Sequence, residues 1–144
     1  MRVPVFVLLF LAAPITAAQD YDEIVTWRTY ASERMARVRV FASEDERRPR
    51  TVVVDDHASN PTVVTDEAQY VADVIGRTIG FDPVEATFVF RFTAAAFVED
   101  ASARGKTLLL KAVFRRTSTG ALGSPDWRVI SSDALEDLTD RAMR

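Results

Sequence analysis

The chain has 144 residues, of which 48% are hydrophobic and 27% charged, and its formal net charge is -3. That length suits one domain, and that composition is typical of a globular chain rather than a disordered one. The acidic balance excludes the basic footprint of a nucleic-acid-binding domain. The absence of cysteine excludes disulfides, thiolate metal sites and thiol catalysis.

The first part of the chain has the pattern of a secretory signal peptide. A single basic residue, Arg2, precedes an apolar run over 3–15, and the small residues Thr16 and Ala18 follow. The apolar run is shorter than the ~20 residues that a membrane-spanning helix needs. We therefore expect a signal peptide over 1–18, cleavage after Ala18, and an exported domain over 19–144. That product would be periplasmic or extracellular, with no stable membrane anchor.

Residues 20–34 fit two structures. Ile24 and Trp27 begin a helical spacing, whereas the segment IVTWRTY is rich in strand formers. The helix, with Asp20 or Asp22 near its cap, is the prediction that we take forward. The following segment RMARVRVFA alternates apolar and polar residues, which predicts a half-buried strand. After the charged turn SEDERRP, the segment RTVVVDD is predicted as the returning strand of a hairpin.

Residues 65–79 carry the clearest helical pattern of the chain. Thr65 is suited to cap the helix, apolar residues recur at i, i+3, i+4 and i+7, and Gly80 and Pro83 follow the last turn. Alternation then predicts strands within EATFVFRFTAAAFVED, KTLLLKAVFRRT and WRVIS. Asp133, with Glu136 three residues later, predicts the capped start of a closing helix.

Together these elements predict an α+β fold in the order (α)ββαβββα. Strands joined by short turns favour an antiparallel sheet, here of about five strands, with the helices packed on one face. Neither a repeat nor a long linker interrupts residues 19–144, so we expect one domain.

The only histidine follows two aspartates, which raises the question of a metal or catalytic site. Adjacent side chains of a strand point to opposite faces, so Asp55 and Asp56 cannot both face one ion within it. The segment DDHASNPT is also rich in turn-forming residues. We expect a turn here, and a metal-dependent or carboxylate hydrolase around Asp55, Asp56 and His57 is kept as an alternative.

Two stripes of side chains on the predicted sheet are candidate sites. The aromatic stripe is expected to form the core under helix 65–79, or else an apolar pocket in which a small ligand is carried; it consists of Phe88, Phe90, Phe92, Phe114 and Trp127. The basic stripe on the opposite face consists of Arg91, Lys111, Arg115 and Arg128. It lies among the apolar residues Val89, Leu109, Val113 and Ile130, which are expected to share that open face. Such a mixed, exposed face suits a partner surface.

The sequence therefore favours an exported binding module over an enzyme. We expect the basic stripe to contact a protein partner or a second copy of the chain. The 5 glycines form no phosphate-binding pattern, so we expect no nucleotide or other cofactor.

Overall fold

The computed structural model describes residues 19–29, 33–56, 61–93 and 107–144. The signal-peptide prediction lies outside these residues, as does His57. The helices and strands of the described parts are, in chain order, β1 (Gln19–Arg28), β2 (Glu33–Ala42), β3 (Arg50–Asp56), α1 (Pro61–Ile79), β4 (Ala86–Thr93), β5 (Thr107–Val113), β6 (Asp126–Ile130) and α2 (Ser132–Met143). The predicted α+β class is confirmed.

The described strands form one sheet in the order β1-β2-β3-β4-β5-β6. Every neighbouring pair is antiparallel except β3 and β4, which are parallel. A parallel pair needs a long crossover connection, and α1 lies between these two strands in the chain. The sheet is therefore mixed and six-stranded, not antiparallel with about five strands as predicted.

The first element of the described residues is the strand β1, so the helix predicted over 20–34 is wrong. β1 pairs with β2 from Gln19 opposite Ala42 to Arg28 opposite Glu33. The buried residues of β1, Val25 and Trp27, lie two positions apart. That spacing is the period of a strand and not the 3.6-residue period of a helix. The segment is rich in strand formers. Pairing with the long strand β2 also gives its backbone N–H and C=O groups hydrogen-bond partners.

One face of the sheet packs under α1 and holds the larger core. Alternate residues of β2, β3, β4 and β5 bury their side chains here, against Ala68, Val71, Ala72 and Ile75 of the helix. The helix begins at Pro61, earlier than predicted, because proline is well suited to a first helical position. It ends before Gly80, whose φ of 99° is the left-handed conformation that glycine adopts at low cost.

The opposite face packs under α2, so the prediction that both helices share one face is wrong. Val53, Val89 and Leu109 are buried in a second cluster, to which Leu135 and Leu138 of α2 contribute. Thr51 also donates its hydroxyl hydrogen to the carbonyl oxygen of Leu138 at 3.3 Å. The centre of the sheet is thus apolar on both faces, and each face needs its own helix.

The start of α2 differs in detail from the prediction. Ser131 is the N-cap, and its hydroxyl oxygen accepts a hydrogen bond from the backbone of Ala134 at 3.1 Å. The predicted cap, Asp133, lies within the first turn instead, where its negative charge favours the positive end of the helix dipole. Serine satisfies one of the free N–H groups at the helix start, which explains the shift.

Replacing Gly76 with alanine is expected to lower the free energy of unfolding by about 1–3 kcal/mol. A Cβ atom there would lie 2.7 Å from the carbonyl oxygen of Phe81 and 3.0 Å from Cγ of Pro83. This clash exceeds the gain of ~1 kcal/mol that alanine brings to a helix interior. Urea denaturation measures the change, with the exposed neighbour Arg77→Ala as control. A more stable Gly76→Ala protein would show that the helix end is not packed this closely.

Candidate binding groove

A groove of about 350 Å³ lies where β5 and β6 pair, and we call it the basic groove. Three of the four residues of the predicted basic stripe line it. Its lining residues are Lys111, Val113, Arg115, Asp126, Trp127 and Arg128. The structure thus brings most of the predicted stripe together, in a hollow rather than on a flat face.

The basic groove carries positive charges that the described protein does not balance. Lys111 lies directly opposite Arg128 in the antiparallel register, so both side chains extend from the same face. Like charges in opposite positions destabilise a sheet. Neither side chain forms an ion pair or a hydrogen bond with any described residue. An anionic group bound between them would relieve this repulsion.

The one acid of the basic groove does little to neutralise it. Asp126 pairs with Arg115 at 3.3 Å, and the two side chains are 70% and 78% exposed. Water screens an ion pair this exposed, and such pairs contribute roughly 0–1 kcal/mol to stability. The groove therefore keeps a net positive field although the whole chain is acidic.

Arg91, the fourth residue of the predicted stripe, has a different position. The parallel register places it beside Asp55, and two hydrogen bonds of 2.6 Å join the guanidinium to both carboxylate oxygens. These bonds to Asp55 raise the pKa of Arg91 above its ordinary value. About two thirds of each side chain is shielded from solvent. Arg91 therefore joins β3 to β4 and does not line the basic groove.

The aspartate–histidine cluster is only partly within the described structure. The Asp55 carboxylate is occupied by Arg91, and Asp56 is the last residue of β3. Within the described segments, no group of three or more His, Cys, Asp or Glu residues is placed to hold a metal ion. The geometry seen here gives the hydrolase alternative no support.

The aromatic stripe lies in the core under α1. Phe88, Phe90, Phe92 and Phe114 are at most 2% exposed, whereas Trp127 is half-buried at the margin. The centroids of Phe88 and Phe114 are 5.3 Å apart in an edge-on arrangement, and Phe90 lies 5.7 Å from Trp127. Aromatic rings pack favourably at these centroid separations. This packing is what a filled core requires, and it gives the ligand-carrier alternative no support.

Some of the apolar residues that were expected to be exposed between the basic side chains are covered by α2, and others are not. Val89 and Leu109 are buried under that helix, while Val113 is half-buried in the basic groove. The predicted exposed face is therefore covered in part by α2. Only the part of the face beyond α2 is open to a partner.

A second hollow, of about 260 Å³, adjoins the basic groove. Thr87 lines it and is the register partner of Val113, which lines the basic groove. The full lining is Arg48, Pro49, Thr51, Thr87, Leu138, Arg141 and Ala142. Arg48 and Arg141 escaped the sequence analysis because a turn and the last turn of a helix meet here only in the folded chain.

A larger hollow, of about 470 Å³, lies between α1 and the end of the β1–β2 hairpin. Its Arg28 and Glu33 pair with each other at 3.1 Å, so it carries less unbalanced charge than the basic groove. Trp27 borders it, and the indole Nε1 of this buried residue has no hydrogen-bond partner in the described structure.

These features describe a small α+β protein whose most distinctive open surface is a basic groove on a two-sided sheet. Comparison with known proteins finds no matching family, no matching curated protein and no matching solved structure. Neither α1 nor α2 combines the length and apolar character that crossing a bilayer requires.

Proposed function

We propose that this protein is an exported binding module that holds an acidic segment of a protein partner in the basic groove. The observation that carries the proposal is the pair Lys111 and Arg128, which lie opposite each other with no acid between them. A carboxylate placed between the two would replace repulsion with two attractive contacts. The proposed action is binding, without chemistry on the partner.

The shape of the surface supports a segment rather than a single small anion. The basic groove continues toward the second hollow across Thr87 and Val113. Arg141 borders that hollow, although Asp137 pairs with it at 2.8 Å. A chain lying along both hollows would meet basic side chains at each end and threonine and valine between them. Acidic residues spaced along an extended segment fit this pattern.

Export is proposed from the N-terminal pattern of a basic residue, an apolar run and small residues. A cysteine-free chain needs no oxidative folding step in an exported compartment. The two clusters, one on each face of the sheet, supply stability without a covalent link.

Reversing both unpaired charges is expected to weaken binding of an acidic peptide about ten- to a hundredfold. The variant is Lys111→Glu combined with Arg128→Glu, and the probe is a fluorescein-labelled decapeptide of alternating glutamate and threonine. Fluorescence anisotropy measures the Kd. Binding by the unmodified protein should also weaken as salt rises, because surface charges are screened over ~10 Å at 0.1 M salt.

The control for this experiment carries the same charge change elsewhere. Arg47→Glu with Arg77→Glu alters two exposed residues outside the basic groove, and should leave the Kd within about twofold. Equal losses in both variants would show that net charge, not the groove, determines binding. Binding to vesicles of anionic lipid but not to the peptide would contradict a protein partner.

A further inference from the structure

β1 is a long edge strand whose outer side has no partner in the described structure. It has 10 residues and pairs only with β2, so at about 3.3 Å per residue it offers roughly 33 Å of open backbone. Unpaired N–H and C=O groups along such an edge are a template for another strand. This edge lies on the opposite side of the sheet from the basic groove.

Exposed apolar side chains are concentrated at the same edge. Of the five large hydrophobic residues that are exposed in the described chain, three belong to the β1–β2 hairpin: Tyr21 at 37%, Ile24 at 55% and Met35 at 53%. Ile24 lies opposite Arg37 and Met35 opposite Thr26, so Ile24 and Met35 are diagonal neighbours on one face. Contact with a partner would remove this surface from water.

The charges along β1 are complementary to those of a second copy of the strand that runs antiparallel to it. Asp20 lies four positions before Ile24, and Arg28 lies four positions after it. If two β1 strands pair antiparallel about a twofold axis at Ile24, each Asp20 faces the Arg28 of the other copy. Ile24 then faces its own counterpart. Opposite charges in facing positions stabilise a strand pair. Within each copy Asp20 already pairs with Arg39 at 2.9 Å and Arg28 with Glu33 at 3.1 Å; all four side chains are more than a third exposed, so the contacts between copies would add to these pairs.

Other pairings fit less well. An axis at Glu23 would place two glutamates opposite each other and Ile24 opposite Asp22. The other edge strand, β6, has 5 residues, and an axis at its central Arg128 would bring two arginines together. Like charges in facing positions are unfavourable. An axis at Val25 would also place an acid, Asp22, opposite Arg28, but Val25 is already buried under α1 whereas Ile24 is 55% exposed. Because β1 is also twice as long as β6, exposure and length favour the β1 edge with its axis at Ile24.

We propose that two copies of this chain associate through their β1 strands, antiparallel and centred on Ile24, to extend the sheet across a twofold axis. The interface is isologous, since each copy offers the same strand. Two Asp20–Arg28 contacts and one central Ile24 contact define it. This proposal does not depend on the basic groove.

Single cysteines test the register directly, because the chain has no cysteine of its own. Facing residues in an antiparallel pair have Cα atoms about 4.5–5.5 Å apart, within disulfide range. Ile24→Cys is therefore expected to form a covalent dimer on mild oxidation. Asp22→Cys is the matched control: its two copies would lie roughly 13 Å apart and should stay unlinked. Asp22→Cys mixed with Thr26→Cys should cross-link, since these positions face each other.

Charge variants test the same interface without cysteine. Arg28→Glu alone and Asp20→Lys alone each create two repulsive contacts, and we expect each to weaken the dimer about 2- to 30-fold in sedimentation equilibrium. Mixed in equal amounts, the two variants restore both opposite-charge contacts and should form a heterodimer. Arg77→Glu, an exposed change on α1, should leave the dimer unaffected.

Several results would overturn the proposal. One is a protein that stays monomeric at all concentrations up to the millimolar range. Another is cross-linking of Asp22→Cys as efficient as that of Ile24→Cys, which would indicate random collision or a different register. A third is a failure of the mixed charge variants to associate while each folds normally by circular dichroism.

Discussion

Replacing Phe88 with alanine is expected to lower the free energy of unfolding by about 3–5 kcal/mol. Phe88 is fully buried, and its ring centroid lies 5.3 Å from that of Phe114 and 6.2 Å from those of Phe81 and Phe90. Removing its ring leaves a cavity that the three neighbouring rings cannot fill completely. Since domains are stable by about 5–15 kcal/mol, such a loss removes a large share of the total.

Urea denaturation followed by circular dichroism measures this change, and an unaltered m-value shows that the denatured state is the same. Phe88→Leu, which keeps most of the volume, is the control and should cost about 1 kcal/mol. A loss below about 1 kcal/mol for Phe88→Ala would mean that the aromatic layer is not tightly filled. That result would revive the ligand-carrier alternative.

Replacing Leu109 with alanine is expected to lower the free energy of unfolding by about 2–4 kcal/mol. Leu109 is 3% exposed and lies in the cluster that α2 covers. The sequence alone placed this residue on an open face, where its loss would cost at most about 0.5 kcal/mol. The variant thus decides between a covered and an open face.

Val129→Ala is the matched control for Leu109→Ala. Val129 belongs to the neighbouring strand and is 65% exposed, so its truncation should change stability by less than about 0.5 kcal/mol. If both variants behaved alike, α2 would not pack on the sheet in solution. The basic groove would then be part of a wider open face.

The basic residues of the sheet have two separate roles in this structure. Arg91 shares two short hydrogen bonds with Asp55 and holds the parallel pair β3–β4 together. Lys111 and Arg128 have no such partner in the described residues. The same residue types on the same face therefore serve the fold in one place and form a candidate binding site in another. Only the position of nearby acids separates these roles.

Most strand positions followed from the sequence because a period of two is a local property. β3 has the extent of the predicted strand RTVVVDD, and β2 buries Ala36, Val38 and Val40 at the predicted period of two. The end of α1 at Ile79 was also predicted, since glycine in a left-handed conformation stops a helix locally. These features need no knowledge of the rest of the chain.

The sequence did not predict the first strand because its local pattern fits both the helical period and the strand period. Ile24 and Trp27 fit a helix, yet Ile24 is more than half exposed while Val25 and Trp27 are buried. Pairing with β2 along the whole strand decided between the two. In the same way, nothing local to Arg48 and Arg141 could show that they border one hollow.

The sequence by itself determined the α+β class, the alternation of the strands and the clustering of Lys111, Arg115 and Arg128 on one side of β5 and β6. The tertiary structure decided that β3 and β4 run parallel, that α2 covers the second face, and that Asp55 holds Arg91. Hydrophobic periodicity is a local property of the sequence. The helix that covers each face, and the acid that pairs with each base, are instead decided by contacts between segments that are distant in the chain.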